Sequence, residues 1–251
     1  MKIDSSIHGN KILWRYMDLE KFLDLIINNR IFLSKTSTLS DKYESTLPLN
    51  NRNDLKGYLE KRIDDLNKVE SKLFGIDQVI RRTKESTYVS SWSMHDGESY
   101  ALWKIYLNNS RIGVAVKTTS SLLRKSISKH QEEPIEELNL EPVTYSKRRK
   151  FDNLLGENLE VNKHLIVTNK NLFYKFEEEA RLYTILWHVK KKGFDLNKPG
   201  IFLNIDAHTL IDEIYLSPFV NSWFTPLFEK LISSVSPNLA KRVNRSIVSD
   251  D

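Results

Sequence analysis

Residues 176–182 read FEEEARL and lead directly into the apolar run YTILWHV at residues 183–189. A continuous apolar run of this kind is typical of a strand buried in a sheet. On such a strand Glu177, Glu179 and Arg181 alternate, so the sequence predicts that all three side chains point to one face. Two carboxylates held that close repel, which raises the pKa of one unless the arginine or a bound cation offsets the repulsion. The stretch therefore predicts either a site of chemistry or a solvated strand edge.

The rest of the chain mixes strand and helix patterns without a regular alternation. This favours a single α+β domain over residues 1–251, with a mixed, mostly antiparallel sheet and flanking helices. Residues 51–84 carry apolar side chains every three or four positions and predict an amphipathic helical insertion. The acidic stretch 131–141 predicts a loop. Further strands are expected at 12–17, 31–34, 88–94, 112–116, 142–145, 182–189, 201–205 and 213–216, and helices at 19–29, 98–107, 151–171, 223–235 and, capped by Thr118, up to 128.

The composition is that of a folded globular protein. Of the 251 residues, 40% are hydrophobic and 28% are charged. No apolar stretch approaches the roughly 20 residues that span a bilayer, and the opening MKIDSSIHGNK lacks the apolar region of a secretory signal. The chain has no cysteine, which excludes disulfides, thiolate catalysis and thiolate zinc sites. We therefore expect a cytoplasmic protein that is not bound to a membrane.

The charge is modestly basic, with a formal net value of +5. Basic clusters of this kind either contact phosphate groups of nucleic acid or are solvated helix ends and loops, and the sequence leaves both interpretations open. The oligomeric state is open as well. The clusters lie at residues 81–82, 147–150, 190–192 and 241–245.

The sequence predicts neither a bound metal nor a phosphate-binding loop. The six histidines are scattered, and none pairs with another at the i, i+4 spacing or lies beside acids at ligand spacing. There is no G-x-S-x-G motif, no Walker loop and no glycine-rich dinucleotide fingerprint. We expect any chemistry to rely on carboxylates, hydroxyls and arginines.

Two groups near the start of the chain could take part in binding. Trp14, Arg15 and Tyr16 lie on the first predicted strand, where an arginine can clamp a phosphate and a tyrosine can stack on a flat ring. The alternative is a core tyrosine beside an exposed arginine. The stretch SDKYE offers Asp41 and Glu44, or alternatively an Asp turn followed by the start of a helix.

A serine-bearing strand supplies a third group. Residues 90–93 read SSWS, and the small hydroxyl side chains of Ser91 and Ser93 allow a ligand to approach closely. Trp103 and Tyr106 follow at helical spacing. They are either ligand contacts or plain core residues.

The order of these groups resembles that in the bacterial domain of unknown function 2971, a family found in accessory and phage-defence gene contexts. Its aromatic–basic–Tyr opening is matched at residues 14–16 and its E-x-E-x-R-L pattern at residues 177–182. Its FNDPFE-like stretch is matched at residues 39–44, where Lys42 replaces proline and leaves the form of the turn open. The resemblance covers nearly the whole chain, with residues 51–84 as an insertion. Further matches lie at residues 91–93, 102–103, 106, 113–114 and 214–218.

A second similarity, in the order of the parts, is to ADP-ribosyltransferases. In those enzymes a basic residue on the first strand holds NAD, and a hydroxyl-bearing strand supports the nicotinamide ribose. The last Glu of an acidic motif stabilises an oxocarbenium-like transition state. The resemblance implies NAD binding by Arg15, Tyr16, Ser91 and Ser93, catalysis by Glu179 with Glu177 orienting the acceptor, and substrate contacts by Arg181, Asp41, Glu44 and Trp103.

The leading hypothesis is thus an ADP-ribosyltransferase-like effector or toxin of bacterial antiviral defence, such as abortive infection, that uses NAD on an unknown acceptor. The rival is a non-catalytic module that binds nucleic acid or a cognate regulatory protein through a basic surface, with Trp92 or Trp103 for stacking. Arg181 could instead neutralise the acidic pair and make it a structural ion pair. A third hypothesis is a metal-dependent nuclease built on Asp41, Glu44, Glu177 and Glu179.

Overall fold

The computed structural model describes residues 2–7, 9–39, 49–108, 110–146, 154–156, 158–187 and 194–248. Its fold is α+β, as the sequence predicts: a ten-stranded mixed and mostly antiparallel sheet is flanked by helices. Asp41, Glu44 and the basic runs at 147–150 and 190–192 lie outside the described residues. Among the described helices, none has the length and apolar character needed to cross a membrane.

The large sheet runs in the order β1-β6-β9-β4-β2-β5-β11-β12, while β3 pairs with both β4 and β10. Only the outermost pairs, β1 with β6 and β11 with β12, are parallel. The strands β7 and β8 form a small parallel ladder of their own. The strands are β1 Lys2–Ser5, β2 Ile12–Asp18, β3 Arg30–Lys35, β4 Thr87–Ser93, β5 Gly113–Thr119, β6 Glu137–Pro142, β7 Thr144–Ser146, β8 Asn169–Asn171, β9 Glu179–Ile185, β10 Gly200–Asn204, β11 Glu213–Leu216 and β12 Val243–Arg245.

The sheet opens along one edge of β4. On its other edge β4 pairs with β9 over its whole length, from Thr87 to Ser93. On the open edge, β2 reaches only the end of β4, where Trp14 pairs with Ser93, and β3 reaches only its start. Between these contacts residues 90–92 pair with no described strand on that edge. The resulting gap between β2 and β3 positions the candidate site.

Nine helices are described. The first is capped as predicted, because the Asp18 side chain accepts a hydrogen bond from the Lys21 backbone amide at 2.8 Å. It ends at Asn29 in a left-handed conformation, with φ of 51°. The helices are α1 Leu19–Asn28, α2 Leu49–Glu60, α3 Leu66–Ser86, α4 Tyr100–Leu107, α5 Ser120–Ser126, α6 Lys163–Thr168, α7 Ala207–Leu210, α8 Phe224–Val235 and α9 Pro237–Ala240, with 3-10 turns at Thr36–Thr38 and Leu172–Glu177.

The core has layers on both faces of the sheet. β2 shows this directly: Leu13 and Met17 belong to the largest buried cluster, whereas Trp14 and Tyr16 belong to a second one with α4. The predicted insertion is helical, but it is two helices, α2 and α3. They bury a small core of their own, which includes Leu59 and Leu73 and extends to α6.

Three predictions of local structure are wrong. Part of the predicted acidic loop is strand β6, because Leu138 and Leu140 are buried where it pairs with β9 and that pairing overrides the low strand propensity of the acids. The predicted helix 151–171 is helical only in α6. The preceding residues form a loop closed by the Asn162 amide bonding to the Leu154 carbonyl at 2.8 Å. Thr119, not Thr118, caps α5.

Candidate functional site

A cavity of about 300 Å³ opens where β2, β4 and β9 meet α4. It forms here because β2 and β3 separate beside β4 and leave part of the sheet uncovered. Residues far apart in the sequence therefore share one wall. The predicted site residues that line it are Arg15, Tyr16, Ser91, Ser93, Glu177, Glu179 and Arg181.

One predicted substrate contact lies elsewhere. Trp103 is 0% exposed and packs behind the cavity, with its ring 5.0 Å from that of Tyr16 in an edge-on contact. Its indole Nε1 donates to Glu98 Oε1 at 3.1 Å. Trp103 therefore supports the cavity wall without lining it. The predicted contacts Asp41 and Glu44 lie outside the described residues.

Glu179 is the first residue of β9, and its side chain is only 2% exposed. Its Oε1 accepts hydrogen bonds from the Ser91 hydroxyl and from Arg181 Nε, the latter at 2.9 Å. Its Oε2 accepts from Lys170 Nζ and Arg181 Nη2, both at 3.2 Å. Burial raises the pKa of Glu179 above its ordinary value, against the opposing effects of Lys170 and the Ser91 hydroxyl. The carboxylate is thus held in one orientation.

Glu177 reaches the same cluster by a different route from the one predicted. It ends a 3-10 turn instead of lying on the strand, and Glu178 after it is left-handed, with φ of 41°. The expected alternation of Glu177, Glu179 and Arg181 along one strand is therefore wrong. The Glu177 carboxylate nevertheless accepts from Lys170 Nζ at 2.6 Å. Two carboxylates and two cations are interleaved, which offsets the repulsion expected between the acids.

Lys170 is the member of this cluster that sequence reasoning missed. It lies on β8, whose parallel ladder with β7 pairs it with Tyr145. Burial alone lowers the pKa of Lys170, but Glu179 and Glu177 together raise it above its ordinary value. The Tyr145 hydroxyl accepts a hydrogen bond from the Glu179 backbone amide at 2.8 Å. No local motif marks Lys170, because only the β7–β8 ladder brings it to the acids.

Arg15 occupies the gap in the sheet. Alternation along β2 directs it to the face opposite Trp14 and Tyr16, and it lines the cavity because the sheet is open there. Its guanidinium donates to the Ser90 hydroxyl and, at 3.2 Å, to the Phe32 carbonyl, and it lies 5.5 Å from the centre of the Trp92 ring.

The charge of Arg15 is not neutralised within the described part of the chain, where no carboxylate forms an ion pair with it. Burial lowers the pKa of Arg15 to about 10, so the side chain remains a cation at neutral pH. A buried cation without a counter-ion is costly to fold, and such groups are concentrated at binding sites. Arg15 is therefore suited to an anionic ligand.

Aromatic rings form another part of the wall. The Tyr16 ring is near-parallel to the rings of Trp14 and Tyr106, with centroid distances of 6.5 and 6.3 Å and interplanar angles of 20° and 18°. Burial raises the pKa of Tyr16 to about 12, and its hydroxyl accepts from the Ser99 amide at 2.8 Å. Tyr106 is 41% exposed and can offer an aromatic surface to a flat group.

The charge of the cavity favours an anion. Its described lining contains Arg15, Lys21, Lys170 and Arg181 against only the carboxylates of Glu177 and Glu179. Lys21 is itself paired with Asp18 at the rim. Within the described ranges, no three histidine or acidic side chains converge as metal ligands. The arrangement can bind an anion beside a flat ring and present a fixed carboxylate to it.

Comparison of the chain with protein-family models, curated proteins and solved structures finds no match. The resemblance to the domain of unknown function 2971 and the similarity to ADP-ribosyltransferases therefore stay predictions from the residues quoted above.

Proposed function

We propose that the cavity binds NAD and that the protein cleaves the bond between its nicotinamide and ribose, passing ADP-ribose to an acceptor. The observation that supports this is the meeting of Arg15, Ser91 and Glu179, from three adjacent strands, around one concave and cationic space. A dinucleotide carries a diphosphate and flat rings, which are the groups that an unpaired guanidinium and near-parallel tyrosines recognise.

In the proposed reaction the C1′–N bond breaks and its electron pair stays with the ring nitrogen, so nicotinamide leaves as a neutral molecule. Positive charge develops on the ribose at C1′ and its ring oxygen. Glu179 supplies negative charge at a fixed position, because Ser91 and Arg181 hold its carboxylate in place. An acceptor lone pair then forms the new bond to C1′, and the acceptor proton is released.

Lys170 has a supporting role in this scheme. Together with Arg181 it counters the effect of burial on Glu179 and so favours the ionised carboxylate. It also links Glu177 to Glu179, which keeps the second carboxylate at the rim of the same cavity. From there Glu177 can orient the acceptor group.

The biological setting rests on resemblance and composition. We propose an effector or toxin of bacterial antiviral defence, acting in the cytoplasm and controlled by a cognate regulatory protein. The absence of cysteine agrees with a reducing compartment. The acceptor is a macromolecule of the host cell or of the phage.

The test is group transfer in a cell extract. NAD labelled in its adenylate half is incubated with extract and with wild type, Glu179→Gln or Glu178→Gln. Glu178 is the matched control, because its side chain is 57% exposed and does not line the cavity. We expect label on an acceptor with wild type and the control, and none with Glu179→Gln. Equal labelling by all three, or none with wild type, would overturn the proposal.

A further inference from the structure

A second cavity lies between α3 and the loop that leads into α6. Its volume is about 650 Å³, and it shares no described residue with the first cavity. Its floor is aliphatic, formed by Ile76, Val79, Leu159 and Val161. The cavity therefore offers an apolar surface at a place that the proposed NAD chemistry does not use.

The rim of this cavity is basic. Lys68 and Lys72, one turn apart on α3, face Lys163 at the start of α6, and Glu160 is the only acid in the described lining. No described carboxylate forms an ion pair with any of the three ammonium groups. Three cations thus surround one opening without compensation.

The acids of α3 do not neutralise this rim, because they pair on the other side of the helix. Glu70 binds Lys56 of α2 at 2.5 Å, and Asp77 binds Arg52 at 3.0 Å. The side of α3 that faces α2 is therefore balanced in charge. The side that faces the cavity keeps its positive charge.

The aromatic member of the lining is already in contact with cations. Lys163 Nζ lies 3.9 Å from the centre of the Trp187 ring, and the Arg82 guanidinium lies 4.9 Å from it. Stacking of a nucleobase is therefore not what this cavity favours. Its free chemistry is a set of ammonium groups above an aliphatic surface.

Two locally unfavourable residues meet at this cavity. Leu159 is left-handed, with φ of 58°, a conformation that a leucine adopts only where its surroundings impose it. Gly75 lies within the 21-residue helix α3, where glycine is a poor helix former. A side chain at Gly75 would meet nothing within 4 Å, so the glycine leaves open space at the cavity.

We propose that this second cavity binds a small amphiphilic anion. Its carboxylate, sulfonate or phosphate group contacts Lys68, Lys72 and Lys163, and its apolar body covers the aliphatic floor. The volume falls in the range of small-molecule sites, roughly 300–1,000 Å³. This site is independent of the proposed function of the first cavity.

The test is calorimetric titration with decyl phosphate below its micelle concentration, with inorganic phosphate and decyl maltoside as head-only and uncharged probes. We expect decyl phosphate to bind at least about tenfold more tightly than either probe, and more weakly as salt is raised. The triple variant Lys68→Gln, Lys72→Gln, Lys163→Gln should lose at least about tenfold in affinity. The matched variant Lys129→Gln, Lys230→Gln, Lys241→Gln changes three exposed lysines elsewhere and should bind like wild type.

A second pair of variants tests the cavity itself. Gly75→Leu fills it without a clash, and a leucine favours the helix, so loss of binding cannot be ascribed to unfolding. Gly57→Leu makes the same change on α2, also in open space, but outside the cavity. Binding should be lost in the first and kept in the second. Absence of decyl phosphate binding to wild type, or unchanged binding to either the lysine variant or Gly75→Leu, would overturn the proposal.

Discussion

The ammonium group of Lys170 lies 3.2 Å from Oε2 of Glu179, and both side chains are almost entirely buried. This contact joins β8, in the small ladder, to β9, in the large sheet. It supplies the cation that two adjacent carboxylates require. The buried cluster therefore serves two ends, since it anchors the ladder and fixes the carboxylate that we place next to the substrate.

Replacement of Lys170 by methionine should destabilise the protein strongly. The change leaves Glu177 and Glu179 with one cation fewer, and breaking a buried pair from one side costs about 3–5 kcal/mol. Urea unfolding measures the loss. Lys56→Met is the control, because its pair with Glu70 is at the surface and should leave the midpoint almost unchanged. Equal midpoints for Lys170→Met and wild type would show that the buried pair does not stabilise the fold.

The stability of the protein should depend on pH through Glu179. Because the folded-state pKa of Glu179 is raised, the folded protein binds this proton more tightly than the unfolded chain does. The stability contributed by this group is complete below its ordinary pKa of 4.5 and is lost as the pH rises through the folded-state value.

We therefore expect wild type to lose stability relative to Glu179→Gln, which cannot titrate, as the pH rises from about 4 to 7. Urea unfolding of both proteins across that range gives the difference in their free energies of unfolding. A difference that stays constant or grows with pH would mean that the pKa of Glu179 is not raised in the folded protein.

Arg15 should govern the affinity for NAD. Loss of hydrogen bonds from a buried guanidinium to a charged ligand costs about 1.5–3 kcal/mol, so Arg15→Met should bind NAD roughly 10- to 100-fold more weakly. Calorimetric titration gives the dissociation constants. Arg124→Met, a partly buried arginine outside the cavity, should bind NAD like wild type. Indistinguishable affinities for the two variants would remove Arg15 from the site.

Trp103 should matter for stability and not for binding. Trp103→Phe removes the indole donor to Glu98 and leaves a small void, which should cost about 1–3 kcal/mol of unfolding free energy. The affinity for NAD should change less than about threefold, because the side chain does not line the cavity. A large fall in affinity without loss of stability would restore Trp103 as a substrate contact.

Local patterns predict the elements of this fold well and its irregular parts poorly. The Asp18 cap, the helical insertion and the strands on which Arg15, Ser91 and Glu179 lie all follow from periodicity and capping. Strand β6 was missed because its pairing with β9 is a tertiary effect, and the left-handed Glu178 breaks a strand alternation that no short-range signal contradicts. Lys170 carries no signal at all, since its place depends on a ladder formed by distant residues.

The central claim is that Glu179 assists the departure of nicotinamide from NAD in this cavity. Chromatographic measurement of free nicotinamide, released from NAD by the purified protein, tests this without knowledge of the acceptor. We expect release by wild type and by Glu178→Gln, and a rate at least about 100-fold lower for Glu179→Gln when unfolding shows it to be folded. No release by wild type, or equal rates for wild type and a folded Glu179→Gln, would contradict the account.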